Sequence, residues 1–213
     1  MSYRNHFLAA FAVSVLFFAA RAAANDAPGA STMPATNHPA FGASLRSGET
    51  VGNHQVQRVF LHVGTNEIAF IVPEGFCMDA SNPHKIVLTD NDSGYFITVR
   101  VSQTLVPEAD FQNQFFKGEA LNRFPGAKIS EESSDFADGH LGWAFNLRWT
   151  SSSGTDQSAR VAFIPCAAGV LEFSALARTD NFRDVQSFLT GLMTSVRSNE
   201  TGKLVIVPLP DFS

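Results

Sequence analysis

The sequence predicts an α+β fold, an antiparallel β-sheet flanked by helices, and three patterns carry that prediction. From His140 to Thr150 the residues alternate strictly, with Leu141, Trp143, Phe145, Leu147 and Trp149 on one face, the period of two that belongs to a pleated strand. From Phe182 to Val196 the residues Phe182, Val185, Phe188, Leu189, Leu192, Met193 and Val196 recur at helical spacing within one arc, the mark of an amphipathic helix lying on a sheet. Strand-type runs elsewhere follow one another through short Gly-, Pro- and Asn-rich turns, as antiparallel neighbours do.

The chain opens with a short basic start, an apolar run from Phe7 to Ala20 and the small residues Ala22-Ala23-Ala24. That order is a secretory signal peptide over 1–24, and the run is shorter than the ~20 apolar residues a membrane span needs. The expected location is therefore extracytoplasmic, secreted or periplasmic, with no stable membrane span once the signal is cleaved. Residues 25–54 are rich in Ala, Pro, Gly, Ser, Thr and Asn and poor in large apolar side chains. Such a stretch buries too little to offset its ordering entropy, so a flexible linker is expected there.

A single domain is expected over 55–207, with 208–213 as a tail. Removing 1–24 leaves 189 of the 213 residues, enough for one core and too few for two comfortable ones. Its elements follow in order. A strand opens near Gln55 and runs through Val63, and another spans Glu67 to Val72, closed by the turn Pro73-Glu74-Gly75. Lys85–Thr89 and Tyr95–Ser102 form a hairpin across Asp90-Asn91-Asp92-Ser93-Gly94, with Tyr95, Ile97, Val99 and Val101 on the drier face. Pro107 suits the first turn of a helix that runs to about Phe124 and stops at Pro125-Gly126. Its stripe of Val106, Ala109, Phe116, Ala120 and Phe124 lies opposite Phe111 and Phe115, so it is apolar on two sides.

Four further strands follow, Ala127–Phe136, His140–Thr150, Ser158–Ile164 and Val170–Ala177. The five large apolar residues of the second predict that its odd-numbered face is the core-facing one. Thr179-Asp180-Asn181 supplies N-cap candidates for the last helix. Lys203–Val207 offers a short terminal strand before Pro208 and Pro210.

This succession of strand, Pro-Glu-Gly turn, hairpin, helix, antiparallel strands and final amphipathic helix resembles the PsbP-like superfamily. The residues that carry the likeness are Ile68 to Phe76, the alternating run from Gly142 to Trp149, and Phe188 to Val196 with the Ser-Val-Arg-Ser segment that ends at Ser198. The resemblance spans about Gln55 to Ser198. It implies an α/β/α sandwich and a non-enzymatic scaffold or assembly factor that docks on a partner protein. It carries no functional residue onto this chain.

Charge narrows the partners. The signal segment holds two of the fifteen basic residues and none of the twenty acidic ones, so the net charge of −5 becomes −7 on cleavage. That sign argues against nucleic acid and against anionic membrane surfaces. Cys77 and Cys166 are the only cysteines, and in an oxidising compartment an even pair reads as a disulfide or as two buried thiols.

No Gly-x-Ser-x-Gly elbow, His-Glu-x-x-His, phosphate loop or Cys-x-x-Cys occurs, so no catalytic or cofactor-binding residue is assigned. Asp90 to Gly94 lacks the Gly-6 and Glu-12 pattern of a calcium loop and reads as a hairpin turn. His38, His54, His62, His84 and His140 lack zinc-ligand spacing. Arg100, Arg148 and Arg160 each lie opposite the large apolar residues of their own strands. Brought onto one sheet face they would form an anion site; the competing reading is a surface where they pair with Glu172 or other acids. The expected function is an exported, non-enzymatic binding or assembly module, with a small-anion carrier or an extracytoplasmic hydrolase as alternatives.

Overall fold

In the computed structural model, which describes residues 41–51, 54–102, 106 and 108–199, two antiparallel sheets and two helices form the expected α+β sandwich. Strands β1 (Gly42–Val51), β2 (His54–Val63) and β3 (Asn66–Val72) form a meander. Strands β4 (Cys77–Asp79), β5 (Ile86–Asp90) and β6 (Tyr95–Ser102) precede helix α1 (Ala109–Arg123). After it come β7 (Lys128–Ala137), β8 (His140–Thr150), β9 (Asp156–Cys166) and β10 (Gly169–Arg178), then α2 (Phe182–Thr194) and the short β11 (Arg197–Asn199).

The smaller sheet has the order β1-β2-β3-β11 and the larger β4-β5-β6-β10-β9-β8-β7. The main core lies between them with α2. Val59 and Leu61 of β2, Ile68 and Phe70 of β3, Ile97 and Val99 of β6, Phe173 of β10, and Val185, Leu189 and Leu192 of α2 share one buried cluster. The opposite face of the large sheet carries a second, smaller cluster, in which Phe116 and Ala120 of α1 pack on Phe145, Leu147, Val161 and Phe163. The large sheet is thus apolar on both faces at its centre.

Several elements stand as read from the sequence. Tyr95, Ile97, Val99 and Val101 are all buried, with less buried residues between them. The turn after β3 closes with Phe76 N–H donating to the Pro73 carbonyl at 3.2 Å, and Gly75 takes φ +86°, a left-handed conformation that glycine adopts without steric cost. Asp90 to Gly94 is the β5–β6 turn, in which Gly94 N–H donates to the Asp90 carbonyl at 2.9 Å.

Other expectations need correction. Residues 42–51, read as linker, form β1, which is paired with β2 from Gly42↔His62 to Val51↔His54, while Phe41 and Ala43 join the main core. The strand is held by its ladder and by few apolar side chains, so composition alone does not reveal it. The odd-numbered face of β8 is not the sole core-facing one. Phe145 and Leu147 on that face are buried, but so are Gly142, Ala144 and Asn146 on the other, and Leu141 is exposed. Gly142 is needed there for close approach: a Cβ would sit 2.0 Å from the Phe163 carbonyl oxygen.

Thr179–Asn181 forms a single 3-10 turn before α2, and Asn181 stands at the N-cap with no side-chain capping bond. The Ser-Val-Arg-Ser segment joins α2 to the small sheet. Ser195 Oγ accepts from Ile71 N–H at 2.9 Å, and β11 pairs with β3.

Cys77 and Cys166 are not joined by a disulfide. They lie on β4 and β9, four strand spacings apart in the large sheet, which alone sets them at least ~19 Å apart at ~4.8 Å per strand. That is far beyond the ~7 Å between Cα atoms that a bridge tolerates. The expected signal peptide over 1–24, residues 25–40, the expected strand at Lys203–Val207 and the expected tail at 208–213 fall outside the described residues.

Candidate functional site

Helix α1 covers the centre of its face of the large sheet. Phe116 stacks on Phe163 with centroids 5.0 Å apart, and Phe124 meets Trp149 at 5.2 Å. Lys117 pairs with Glu132 of β7. At the other end of the helix, Arg123 reaches β10. Beyond the helix lie a cleft beside Arg123 and the tip of the β7–β8 hairpin.

The cleft has a volume of about 180 Å³. Phe96 and Leu176, cross-strand partners on β6 and β10, form an apolar wall with Phe124. Thr98 and Ser174, the next pair along the same ladder, add two hydroxyls, and Arg100 and Glu172 form the pair beyond them. Glu172 is only 3% exposed, a burial that a carboxylate tolerates only with strong partners. Arg123 supplies them. Its Nε donates to both carboxylate oxygens, at 3.0 and 3.1 Å, and its Nη2 donates to Oε2 at 2.9 Å. This fork holds the Arg123 pKa above its ordinary value, with the hydrogen bond to Glu172 the largest cause, against desolvation that lowers it.

Arg100 keeps only the longer ion pair. Its Nε lies 3.9 Å from Glu172 Oε1, too far for a hydrogen bond. That nitrogen is buried and has no hydrogen-bond partner among the described residues.

The three arginines singled out from the sequence are not brought together. Arg100 shares a cross-strand row with Glu172, Phe163 and Trp143 on the α1 face. Arg160 pairs with Asn146 and Ala175 and so lies on the opposite face, and Arg148, two residues from Asn146, lies there too. The cause is that "opposite the apolar residues" names different faces on different strands. The apolar side of β6 meets the main core, whereas the large side chains of β8 meet α1.

Arg160 is built into the structure. Its Nε and Nη2 donate to Asp135 Oδ2 at 3.1 and 2.9 Å, Nη1 to Asn146 Oδ1 at 2.9 Å and Nη2 to Ser133 Oγ at 3.1 Å. Its fork is satisfied and buried, a locking role rather than a ligand site. Arg148 is exposed, directly across the ladder from Lys128, in a separate open depression that also contains Asp156. Arg123, the residue that decides the cleft, was missed. The available signal was a lone basic residue in the last helical turn, beside a Glu172 that alternation places inside a strand.

At the hairpin tip, Phe136 and Leu141 face each other across the β7–β8 ladder and are 53% and 69% exposed. They continue the α1 face outward from Trp143. The tip turns through Asp138 (φ +48°) and Gly139 (φ +84°), a primed-type geometry suited to strand twist. Asp138 Oδ2 accepts from Ser198 N–H at 2.6 Å and also from the Ser198 hydroxyl. Among the described residues no group of three or more His, Cys, Asp or Glu side chains is placed to hold a metal ion, and no helix is long and apolar enough to cross a membrane.

The same architecture occurs in solved structures. LpqN of Mycobacterium tuberculosis, described as involved in cell envelope biogenesis, is 18% identical, with 70% of this chain and 97% of that one covered at a TM-score of 0.52. Cyanobacterial PsbP (CyanoP) from Synechocystis sp. PCC 6803 is 16% identical over 70% of this chain and 97% of that one, at a TM-score of 0.49. No family model and no curated protein matches the sequence. At 18% identity the likeness to LpqN is one of fold.

Proposed function

We propose that the protein acts outside the cytoplasm, as a single domain released from its signal segment, in the role of a non-enzymatic binding or assembly module. It docks a partner protein through the tip of the β7–β8 hairpin. The observation that carries this reading is the exposed cross-strand pair Phe136–Leu141. Two large apolar side chains facing water side by side, continuous with the apolar ground under α1, are costly to leave uncovered and are what a docking anchor looks like.

Charge defines the partner. Asp138 in the turn beside the pair is held by the neutral Ser198, so the tip of the patch carries negative charge. The matching surface is an apolar pocket with a basic rim. The leader, the fold, and the cell-envelope role described for the mycobacterial neighbour support the extracytoplasmic setting.

The test is site-specific photocrosslinking from position 141 in the native extracytoplasmic fraction, alongside co-purification with L141E. The expected result is one crosslinked protein species that L141E no longer retains, with an unchanged melting curve for the variant. Equal recovery by the two forms, or no crosslink from position 141, would sink the docking surface.

A further inference from the structure

We propose that the cleft between the C-terminal turn of α1 and strands β6 and β10 binds a small organic acid, its carboxylate taken by Arg100 and its apolar tail lying on Phe96 and Leu176. The proposal is independent of the docking surface at the hairpin tip.

Arg100 and Arg123 share Glu172, while Arg123 also lies 3.7 Å from Glu119 Oε2. Two guanidinium groups flank one buried carboxylate, and Arg123 takes both of its oxygens. The Arg100 Nε–H is left buried without an acceptor, at 3.9 Å from the nearest Glu172 oxygen. Buried donors in folded proteins nearly always find a partner, and one that does not calls for an explanation such as an absent ion or ligand. Arg100 also keeps 35% of its side chain exposed and lines the cleft.

The rest of the cleft says which anion. Thr98 and Ser174 set two hydroxyls beside Arg100 on the same ladder, groups that complete the hydrogen bonding of a carboxylate head. Phe96, 44% exposed on a sheet face, has no role in either core, yet it walls the cleft opposite those polar groups. A few convergent polar groups at one end and an apolar wall at the other match an amphipathic ligand better than a fully hydrated ion such as inorganic phosphate. The volume of about 180 Å³ equals roughly six waters at ~30 Å³ each. It suits a short aliphatic or single-ring monocarboxylate.

The experiment titrates the full chain with hexanoate, benzoate, acetate and inorganic phosphate by calorimetry, with chemical-shift mapping to locate the contact. Hexanoate or benzoate is expected to bind saturably, acetate more weakly, with shifts at Thr98, Arg100 and Ser174. Arg100→Gln is expected to weaken binding at least about tenfold, as loss of a charge-assisted hydrogen bond does, while Arg148→Gln leaves it unchanged. Because Arg100→Gln also alters the surroundings of Glu172, Phe96→Ala serves as the second variant. It should weaken hexanoate and spare acetate. No saturable binding of either organic acid, binding unaffected by R100Q, or phosphate binding as tightly as hexanoate would overturn the assignment.

Discussion

Replacing Glu172 by Gln probes the charge arrangement on which the cleft depends. The carboxylate is 3% exposed and accepts three contacts from Arg123. Breaking a buried pair by removing one charge typically costs ~3–5 kcal/mol. Arg123 and Arg100 retain 31% and 35% side-chain exposure, so both can turn partly to water, and the expected loss is nearer 2–3 kcal/mol after that discount. For a domain of this size each kcal/mol lowers Tm by ~2–4 °C, which gives a drop of about 4–12 °C. Arg123→Gln should cost less, ~1 kcal/mol, because Arg100 stands 3.9 Å from the same carboxylate and can move in to replace the lost partner. Urea melts of E172Q, R123Q and the double variant measure both the order and the coupling. If E172Q falls within ~0.5 kcal/mol of wild type, or R123Q is the more damaging of the two, the view of Glu172 as the shared anchor of two arginines is wrong.

Four other outcomes follow from the same structure. Gly142→Ala puts a methyl group 2.0 Å from a backbone carbonyl oxygen and should cost ~3 kcal/mol or more, whereas Gly118→Ala on the open side of α1, with nothing within 4 Å, should stabilise by ~0.5–1 kcal/mol in thermal melts. The Glu49 carboxyl is held below its ordinary 4.5 chiefly by the hydrogen bond from Arg58, with desolvation opposing. Its contribution is therefore present above pH 4.5 and lost as pH falls through the lowered value. Glu49→Gln should remove ~1 kcal/mol at neutral pH and flatten the acid limb of the stability curve; an unchanged acid limb would contradict this. Peptide mapping without reductant should give no Cys77–Cys166 linked peptide, and such a peptide would refute the strand order between β4 and β9.

The elements that were legible from the amino-acid sequence are those whose pattern is local. The alternation of Tyr95, Ile97, Val99 and Val101 and the arc of α2 are written within one element, because strand pleat and helical pitch repeat over a few residues. The Asp90–Gly94 turn was legible for the same reason. Strand β1 was not, since its order comes from pairing with β2 and from Phe41 and Ala43 reaching the main core.

Period two also shows that β6, β8 and β9 each have two faces, but not which faces lie together. That required the register, which separates Arg100 from Arg160 and sends Leu141 out to solvent although Phe145 and Leu147 on the same face are buried. The cleft shows the difference most plainly. The sequence alone marked Arg100 as a charged residue on a strand and offered Glu172 as a partner. Only the tertiary structure brought Arg123 across 49 positions to claim both oxygens of that partner and left Arg100 an ion pair at 3.9 Å with no hydrogen bond to its Nε. Local periodicity follows from the geometry of one segment, whereas the choice of ion partner depends on distances between segments that only packing sets.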